Sequence, residues 1–318
     1  MINVLMCTYN GEKYIRQQLD SILGQTYQDF CLYIRDDGST DSTPQIVDEY
    51  VRLNPNKVKI IRKAEHLGYP DCFWDILEKC DDADYYAFSD QDDVWDEHKL
   101  EYAVAKLNGS GNGDPHAETD NGKKLPLLYI HDYDNCNGNL ELISNHRLGS
   151  TSVFDKMSVL FYTYASGFCM VINNGMRKLL LSQNLVGKAM YHDELCIWTA
   201  FFHGKIIYDD RNLTKYRRHE ATYTEYGNGV GTLISNWLRR EIFGDEFLLK
   251  CRRIRTFLSL KEIRPSEKNI CRDWLLLSGG RMTPIRYVRR LCWPHRLRPS
   301  LGGEVALRIM FFMNRGVK

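Results

Sequence analysis

Tyr85-Tyr86-Ala87-Phe88-Ser89-Asp90-Gln91-Asp92-Asp93-Val94-Trp95 runs an apolar strand straight into three carboxylates within four residues. Helical spacing follows from Asp96 to about Leu107. A buried strand that ends in clustered acids is costly unless something neutralises the charge. Hard oxygen ligands two residues apart suit Mg²⁺ or Mn²⁺, and those ions bind phosphates. A solvated acidic turn that caps the next helix fits the same residues, because Asp is favoured at helix caps. The neighbouring segments have to separate the two readings.

Upstream, Asn3 to Thr8 reads as a short apolar strand, broken by Tyr9-Asn10-Gly11. Glu12 to Leu23 follows at helical spacing, with Tyr14, Ile15, Leu19, Ile22 and Leu23 apolar. Phe30 to Arg35 is a second strand. The polar loop from Asp36 to Thr43 feeds a helix near Pro44 to Leu53, where the proline suits the first turn. Lys57 to Arg62 reads as a third strand, Phe73 to Lys79 as part of a helix, and Tyr85 to Ser89 as a fourth strand. Strands alternating with helices predict a mostly parallel α/β sheet covered on both faces. Ligands bind beyond the carboxyl ends of such strands. Thr8-Tyr9-Asn10, Asp36-Asp37 and Asp90 to Asp93 all fall there, and three polar clusters on one edge favour a site over unrelated caps.

Downstream, Asn108 to Lys124 is rich in Gly, Asn, Asp and Lys and reads as an exposed insertion loop. Leu125 to His131 resumes strand character. Tyr162 to Asn173 is apolar and strand-like, and its Gly167 suggests close approach of a ligand or another backbone. Met176 to Leu181 and Asp193 to Phe202 look helical, Lys205 to Tyr208 is a last strand, and Tyr216-Arg217-Arg218-His219 closes the globular part. The expected division is a catalytic domain over 1–220, with halves 1–107 and 125–220, and a basic helical region over 235–318.

The 318 residues suffice for a large core, and 43% hydrophobic and 26% charged residues are ordinary for a globular chain. Ten cysteines stand singly, which argues for reduced thiols in a cytosolic setting and against a thiolate zinc site. Met1 to Met6 lacks the pattern of a signal peptide, and no apolar run reaches the length of a bilayer span. The net charge of +1 hides a split. Residues 235–318 hold 19 Lys and Arg against 7 Asp and Glu, a net of +12, while the remaining 234 hold 23 against 34, a net of −11. From Trp237 onward, Trp237, Leu238, Ile242, Phe243 and Phe247 alternate with Arg239, Arg240, Lys250 and Arg252. This basic amphipathic pattern fits helices packed on the rest of the chain with solvated basic faces. It also fits an anionic membrane surface, where each basic residue contributes about 1 kcal/mol.

Three segments together resemble family 2 glycosyltransferases of the GT-A fold, particularly bacterial rhamnosyltransferase-like members. They are Cys7-Thr8-Tyr9-Asn10-Gly11-Glu12-Lys13-Tyr14-Ile15, Arg35-Asp36-Asp37-Gly38-Ser39-Thr40-Asp41 and Phe88-Ser89-Asp90-Gln91-Asp92-Asp93-Val94-Trp95. Tyr191-His192-Asp193-Glu194 sits where the family places its base. The resemblance covers about residues 1–220 and implies a Rossmann-like sheet with a helical C-terminal extension. It implies an inverting transfer from a nucleotide sugar, dTDP-rhamnose or a UDP-hexose, to a hydroxyl of a surface polysaccharide or lipid-linked glycan precursor. Asp90-Gln91-Asp92 looks like the family's Asp-x-Asp motif. By that resemblance Asp92 ligates Mn²⁺ or Mg²⁺, Asp90 contacts ribose or metal, and Asp93 supports them. Thr8, Tyr9, Asn10, Glu12, Asp36 and Asp37 hold the nucleoside, with Asp37 accepting from the pyrimidine ring. Asp193 is the candidate general base, ahead of Glu194. His219 resembles the family's metal- or diphosphate-reaching histidine, and Arg217 or Arg218 is placed to hold the diphosphate.

One departure concerns the donor. Related enzymes show Asn-x-Gly after the third strand and Asn-Phe later, where this chain has His66-Leu67-Gly68 and Cys72-Phe73. Trp74 and Trp95 read as core. The expected setting is the inner face of the cell membrane, as a peripheral protein and a possible homo-oligomer. Two rivals stand beside this reading. Nucleotidyl transfer needs a Gly-rich basic loop after the first strand, which Thr8-Tyr9-Asn10-Gly11-Glu12 is not. Nucleic-acid binding through the tail is opposed by the acidic balance of residues 1–234.

Overall fold

Near-continuous apolar runs bounded by polar loops place the strands, and amphipathic runs place the helices. In the computed structural model, which describes residues 1–62, 65–109, 124–149, 155–219, 235, 237–266, 268–278 and 283–313, the chain divides into two compact units. The first comprises Met1–Thr151 and Ala165–Thr222, and the second Ser152–Tyr164 and Tyr223–Lys318. Ser152–Tyr164 thus groups with the C-terminal helices, whereas the sequence division placed it within 125–220. Most of the expected insertion loop at 108–124 lies outside the described residues.

The first unit begins with β1 (Ile2–Thr8), α1 (Ile15–Leu23), β2 (Phe30–Asp36), α2 (Thr43–Leu53), β3 (Val58–Ile61), α3 (Asp71–Lys79) and β4 (Tyr85–Ser89). β5 (Val94–Trp95), α4 (Lys99–Gly109), β6 (Leu127–Cys136) and β7 (Leu142–His146) follow. β8 (Met170–Asn173), α6 (Asn174–Leu181), α7 (His192–His203) and β9 (Lys205–Arg217) complete it, α5 (Ser158–Phe161) being part of the second unit. The sheet order is β3-β2-β1-β4-β8-β6-β9-β5, with β7 on β6. It is parallel across β3-β2-β1-β4. Beyond β4 it is mixed, with β8 antiparallel to both neighbours and β9 parallel to β6. The expectation of a mostly parallel sheet therefore describes the N-terminal half.

Ile2, Val4 and Met6 of β1 join Ile15, Leu19 and Ile22 of α1 and Ile46, Val47 and Tyr50 of α2 in one core. Trp74 and Trp95 are both core, 1% and 4% exposed. Of the expected strand at 162–173 only Met170–Asn173 forms. Gly167–Cys169 is a 3₁₀ turn, because the backbone there bends to admit a side chain described below. β9 runs nine residues past its expected end, since Asp209 is buried against Tyr129 Oη at 3.0 Å and Arg211 Nε at 2.8 Å.

The second unit holds α8 (Glu246–Ser259), α9 (Lys268–Ser278), α10 (Pro284–Leu291) and α11 (Leu301–Phe312), after a short π turn at Leu238–Ile242. The helical pattern expected from Trp237 onward is thus broken at Phe243. All ten cysteines are unbridged. Among the described residues no helix is long and apolar enough to cross a membrane.

Candidate active site

Parallel register sets Thr8 opposite Asp36 and Met6 opposite Ser89, which brings the polar ends of β1, β2 and β4 to one edge. Thr8 Oγ1 donates to Asp36 Oδ1 at 3.0 Å, and Asp36 Oδ2 accepts from Ser39 N at 3.1 Å. Gln91 ties the first and third ends together. Its Oε1 accepts from Tyr9 N at 2.9 Å, and its Nε2 donates to the Tyr9 carbonyl at 3.0 Å. That clamp demands glycine at 11, where a Cβ would stand 2.3 Å from Gln91 Oε1. The sequence reading overlooked Gln91 as a functional residue; a glycine one strand away was its only signal.

Asn10 and Glu12 staple this edge to the β2 loop. Asn10 has φ +49°, donates from its backbone to Ser39 Oγ and accepts from Thr40 N at 2.8 Å. Glu12 N donates to Asp41 Oδ2 at 3.0 Å, while Glu12 Oε2 accepts from Ser42 N at 2.8 Å. Tyr9 keeps its ring outward, 48% exposed and 4.7 Å from the His66 ring. Asn10 and Glu12 are exposed as well, but their polar atoms are spent on the β2 loop, so Tyr9 offers the exposed ring among the nucleoside candidates.

Asp37 does not face the cleft as expected. It is 3% exposed, and its carboxylate already accepts from Arg35 Nη1, from Leu67 N at 2.9 Å and from Gly68 N at 2.7 Å. Those bonds fasten the 66–68 loop. A carboxylate so occupied has little capacity left for a pyrimidine.

The acids after β4 crowd together. Burial first, then Asp92 and Asp193, push the Asp90 carboxyl up to about 7. Asp92 Oδ2 lies 2.8 Å from His219 Nε2, so the pair proposed as metal ligands is adjacent. Asp93 is fully buried. Its Oδ1 accepts from Arg217 N at 3.1 Å, its Oδ2 has no protein partner, and burial drives its carboxyl well above the usual range. Lys99, fully buried below, donates to the Phe168 carbonyl at 2.7 Å and lies 3.6 Å from the centre of the Trp95 ring. Burial lowers its ammonium to about 7.

Arg217 is not at the donor surface. It is 2% exposed, and its Nε donates to the Asp92 carbonyl at 2.7 Å. Its Nη atoms donate to the Gly138 carbonyl and to Gln17 Oε1, both at 2.5 Å, and the guanidinium lies 4.4 Å from the centre of the Tyr14 ring. The assignment as a diphosphate ligand gives way to a strut that holds the acid loop. A guanidinium suits that work because it donates in several directions at once.

Asp193 stands in the first turn of α7, its Oδ1 accepting from Glu194 N at 2.7 Å. Its charge is one of those that raise the Asp90 carboxyl. Glu194, the second candidate base, is 4% exposed and so is turned from solvent. His192 is the side chain admitted by Gly167, where a Cβ would fall 2.0 Å from Nε2. The imidazole packs on Phe73 at 4.3 Å and Phe88 at 4.7 Å, neither ring nitrogen has a partner, and burial holds it down at about 3.

Among the described residues no three His, Cys, Asp or Glu side chains form a ready metal cage. One carboxylate and one imidazole side by side, with Asp90 and the unpartnered Asp93 oxygen nearby, fit an ion that takes its other ligands from a diphosphate and water. A cavity of about 190 Å³ lined by Met1, Tyr27, Asp84, Tyr85 and Asn173 includes none of these acids.

A family model described as "Glycosyl transferase family 2" matches residues 3–175. The dTDP-rhamnosyl transferase RfbG of Shigella flexneri is 37% identical over 102 residues, covering 31% of this chain and 35% of that protein. An uncharacterized glycosyltransferase of Nostoc sp., alr2836, is 26% identical over 233 residues, covering 69% of this chain and 65% of that one. The chain therefore spans from about a third to just under two thirds of these relatives. Among solved structures, Staphylococcus aureus TarS 1–349 in complex with UDP superposes with a TM-score of 0.57 at 16% identity, over 98% of this chain and 88% of that one. The mannosyltransferase PcManGT from Pyrobaculum calidifontis, in complex with GDP-Man and Mn²⁺, gives 0.50 at 15% identity over 96% and 73%. These likenesses show the expected GT-A fold.

Proposed function

This chain belongs to glycosyl transferase family 2, and we propose that it is an inverting, metal-dependent enzyme that moves a sugar from a nucleotide donor to a hydroxyl of a surface polysaccharide or lipid-linked glycan precursor. The observation that carries this reading is the Asp92–His219 pair in the acid loop after β4, with Asp193 of α7 among the charges that raise the Asp90 carboxyl. The acceptor oxygen attacks the anomeric carbon opposite the diphosphate, the bond from that carbon to the phosphate oxygen breaks, and Asp193 takes the hydroxyl proton. The logic is that of inverting hydrolysis with an alcohol in place of water. Mn²⁺ or Mg²⁺ on Asp92 and His219 would neutralise the departing diphosphate. Tyr9 and His66 present the outward ring pair for the base, and Thr8, Asn10, Glu12 and Asp36 shape the loops beneath it.

The name of the Shigella relative supports dTDP-rhamnose as the first donor to try, with UDP-hexoses next. Purified protein with Mn²⁺ and a panel of nucleotide sugars should release one nucleoside diphosphate, and NMR of the glycosylated acceptor should show the anomeric configuration inverted. Release from none of the donors would sink the reading, and retention of configuration would sink the mechanism. Nucleotidyl transfer finds no support in the loop after β1, which offers a phosphate no Lys or Arg between Thr8 and Glu12.

A further inference from the structure

α11 is apolar on two sides. Leu307, Met310 and Phe311 are buried. Leu301, Val305, Ile309 and Phe312, spaced four, four and three apart, are 67%, 52%, 39% and 60% exposed. A helix that only covered a core would turn polar side chains outward along that stripe. α10 is fastened beside it. Tyr287 Oη donates to the Phe312 carbonyl at 3.2 Å, and Arg308 Nη1 donates to the Arg290 and Leu291 carbonyls at 3.2 and 3.3 Å. Ile285 and Val288 of α10 are likewise 70% and 57% exposed. So continuous an apolar surface calls for an occupant.

Charge selects the occupant. Residues 283–313 contain six arginines and a single acid, Glu304. That acid is buried, accepting from Leu297 N and Arg298 N and pairing with Arg308. Arg289 and Arg296 stay exposed. We propose that α10 and α11 seat on an anionic lipid surface, the apolar stripe entering the acyl boundary and Arg289 and Arg296 meeting headgroup phosphates. A second copy of the chain fits less well. It would bring the same arginines together, with no exposed carboxylate in this segment to pair them. The inference is independent of the transfer chemistry, and its test reads no turnover.

The full chain is sedimented with vesicles of phosphatidylcholine, alone or mixed with phosphatidylglycerol. Binding is expected to the mixed vesicles and to weaken as salt rises. Leu301→Gln, Val305→Gln and Phe312→Gln together should lower partitioning at least about tenfold while circular dichroism and melting stay as in the parent. Arg289→Gln with Arg296→Gln should lower it by about thirtyfold at low salt. The proposal is overturned if the parent chain ignores the mixed vesicles, or if both variants bind as the parent does. It is also overturned if light scattering finds a dimer that the triple variant dissociates.

Discussion

Asp193 follows directly on an imidazole that has no hydrogen-bond partner, and the two side chains carry separate predictions. Asp193→Asn keeps the shape and the bond to Glu194 N but cannot take a proton. Its kcat/KM for acceptor-dependent transfer should fall by about a hundredfold to ten-thousandfold with melting unchanged. Full retained turnover would hand the role of base to another group. His192 is held neutral, at about 3 in the folded chain against about 6.5 when unfolded. A depressed value means the stabilisation is present above pH 6.5 and is lost as pH falls toward 3, by about 3 kcal/mol at pH 4. Asp90, raised to about 7, acts in the opposite direction, but it is common to the parent and the variant. His192→Phe should therefore melt with a shallower acid limb than the parent, and parallel limbs would contradict the assignment. Acids stand out after an apolar strand, which is why the sequence reading singled out Asp90 and Asp92, whereas Asp193 was singled out by the family resemblance. Gln91 was not, because its importance lies in a two-way bond to Tyr9, 82 positions away.

β9 carries the strut. Its last residue, Arg217, fastens the Asp92 carbonyl, the Gly138 carbonyl and Gln17 at once. A lysine ammonium has three N–H donors but all on one atom, so it cannot meet acceptors spread around Nε, Nη1 and Nη2, and Arg217→Lys leaves buried acceptors unmet. The variant should lose about 3 kcal/mol of stability. It should also need more Mn²⁺ for half-maximal activity, because Asp92 is no longer held. Unchanged metal activation alongside lost stability would confine Arg217 to folding. The sequence reading ended this strand at Tyr208, before the polar run Asp209-Asp210-Arg211-Asn212. Their charges are compensated only in three dimensions, through Tyr129 and the Asp209–Arg211 pair. The N-terminal strands were legible for the converse reason: Ile2 to Met6 and Phe30 to Ile34 are buried and almost wholly apolar, Asn3 and the Tyr33 hydroxyl being met by Asp81. Asp37 reads like its neighbour Asp36, and only the fold shows that Arg35 and the 67–68 amides consume it.

Charge is partitioned along the whole chain, with net −11 over the first 234 residues and +12 over the last 84. An acidic segment that binds a dianionic diphosphate must first overcome repulsion, and the burial and crowding that raise the Asp90 and Asp93 carboxyls show that the strand ends already resist further negative charge. A cation relieves it, yet Asp92 and His219 alone offer two ligands where such ions take six or more. Each component thus lacks what the other supplies: the ion lacks ligands without the diphosphate, and the diphosphate lacks neutralisation without the ion. The expected consequence is mutual dependence. Mn²⁺ alone, or the product nucleoside diphosphate alone, should barely move the melting temperature. Together, at about a hundred times the dissociation constant, they should stabilise the folded chain by about 2.7 kcal/mol and raise its melting point by several degrees. EDTA should erase the joint shift, and Asp92→Asn should erase it even in excess Mn²⁺. A nucleotide that stabilises the protein equally with and without the ion would show that the diphosphate is held by protein groups alone, and the acids after β4 would then need another role.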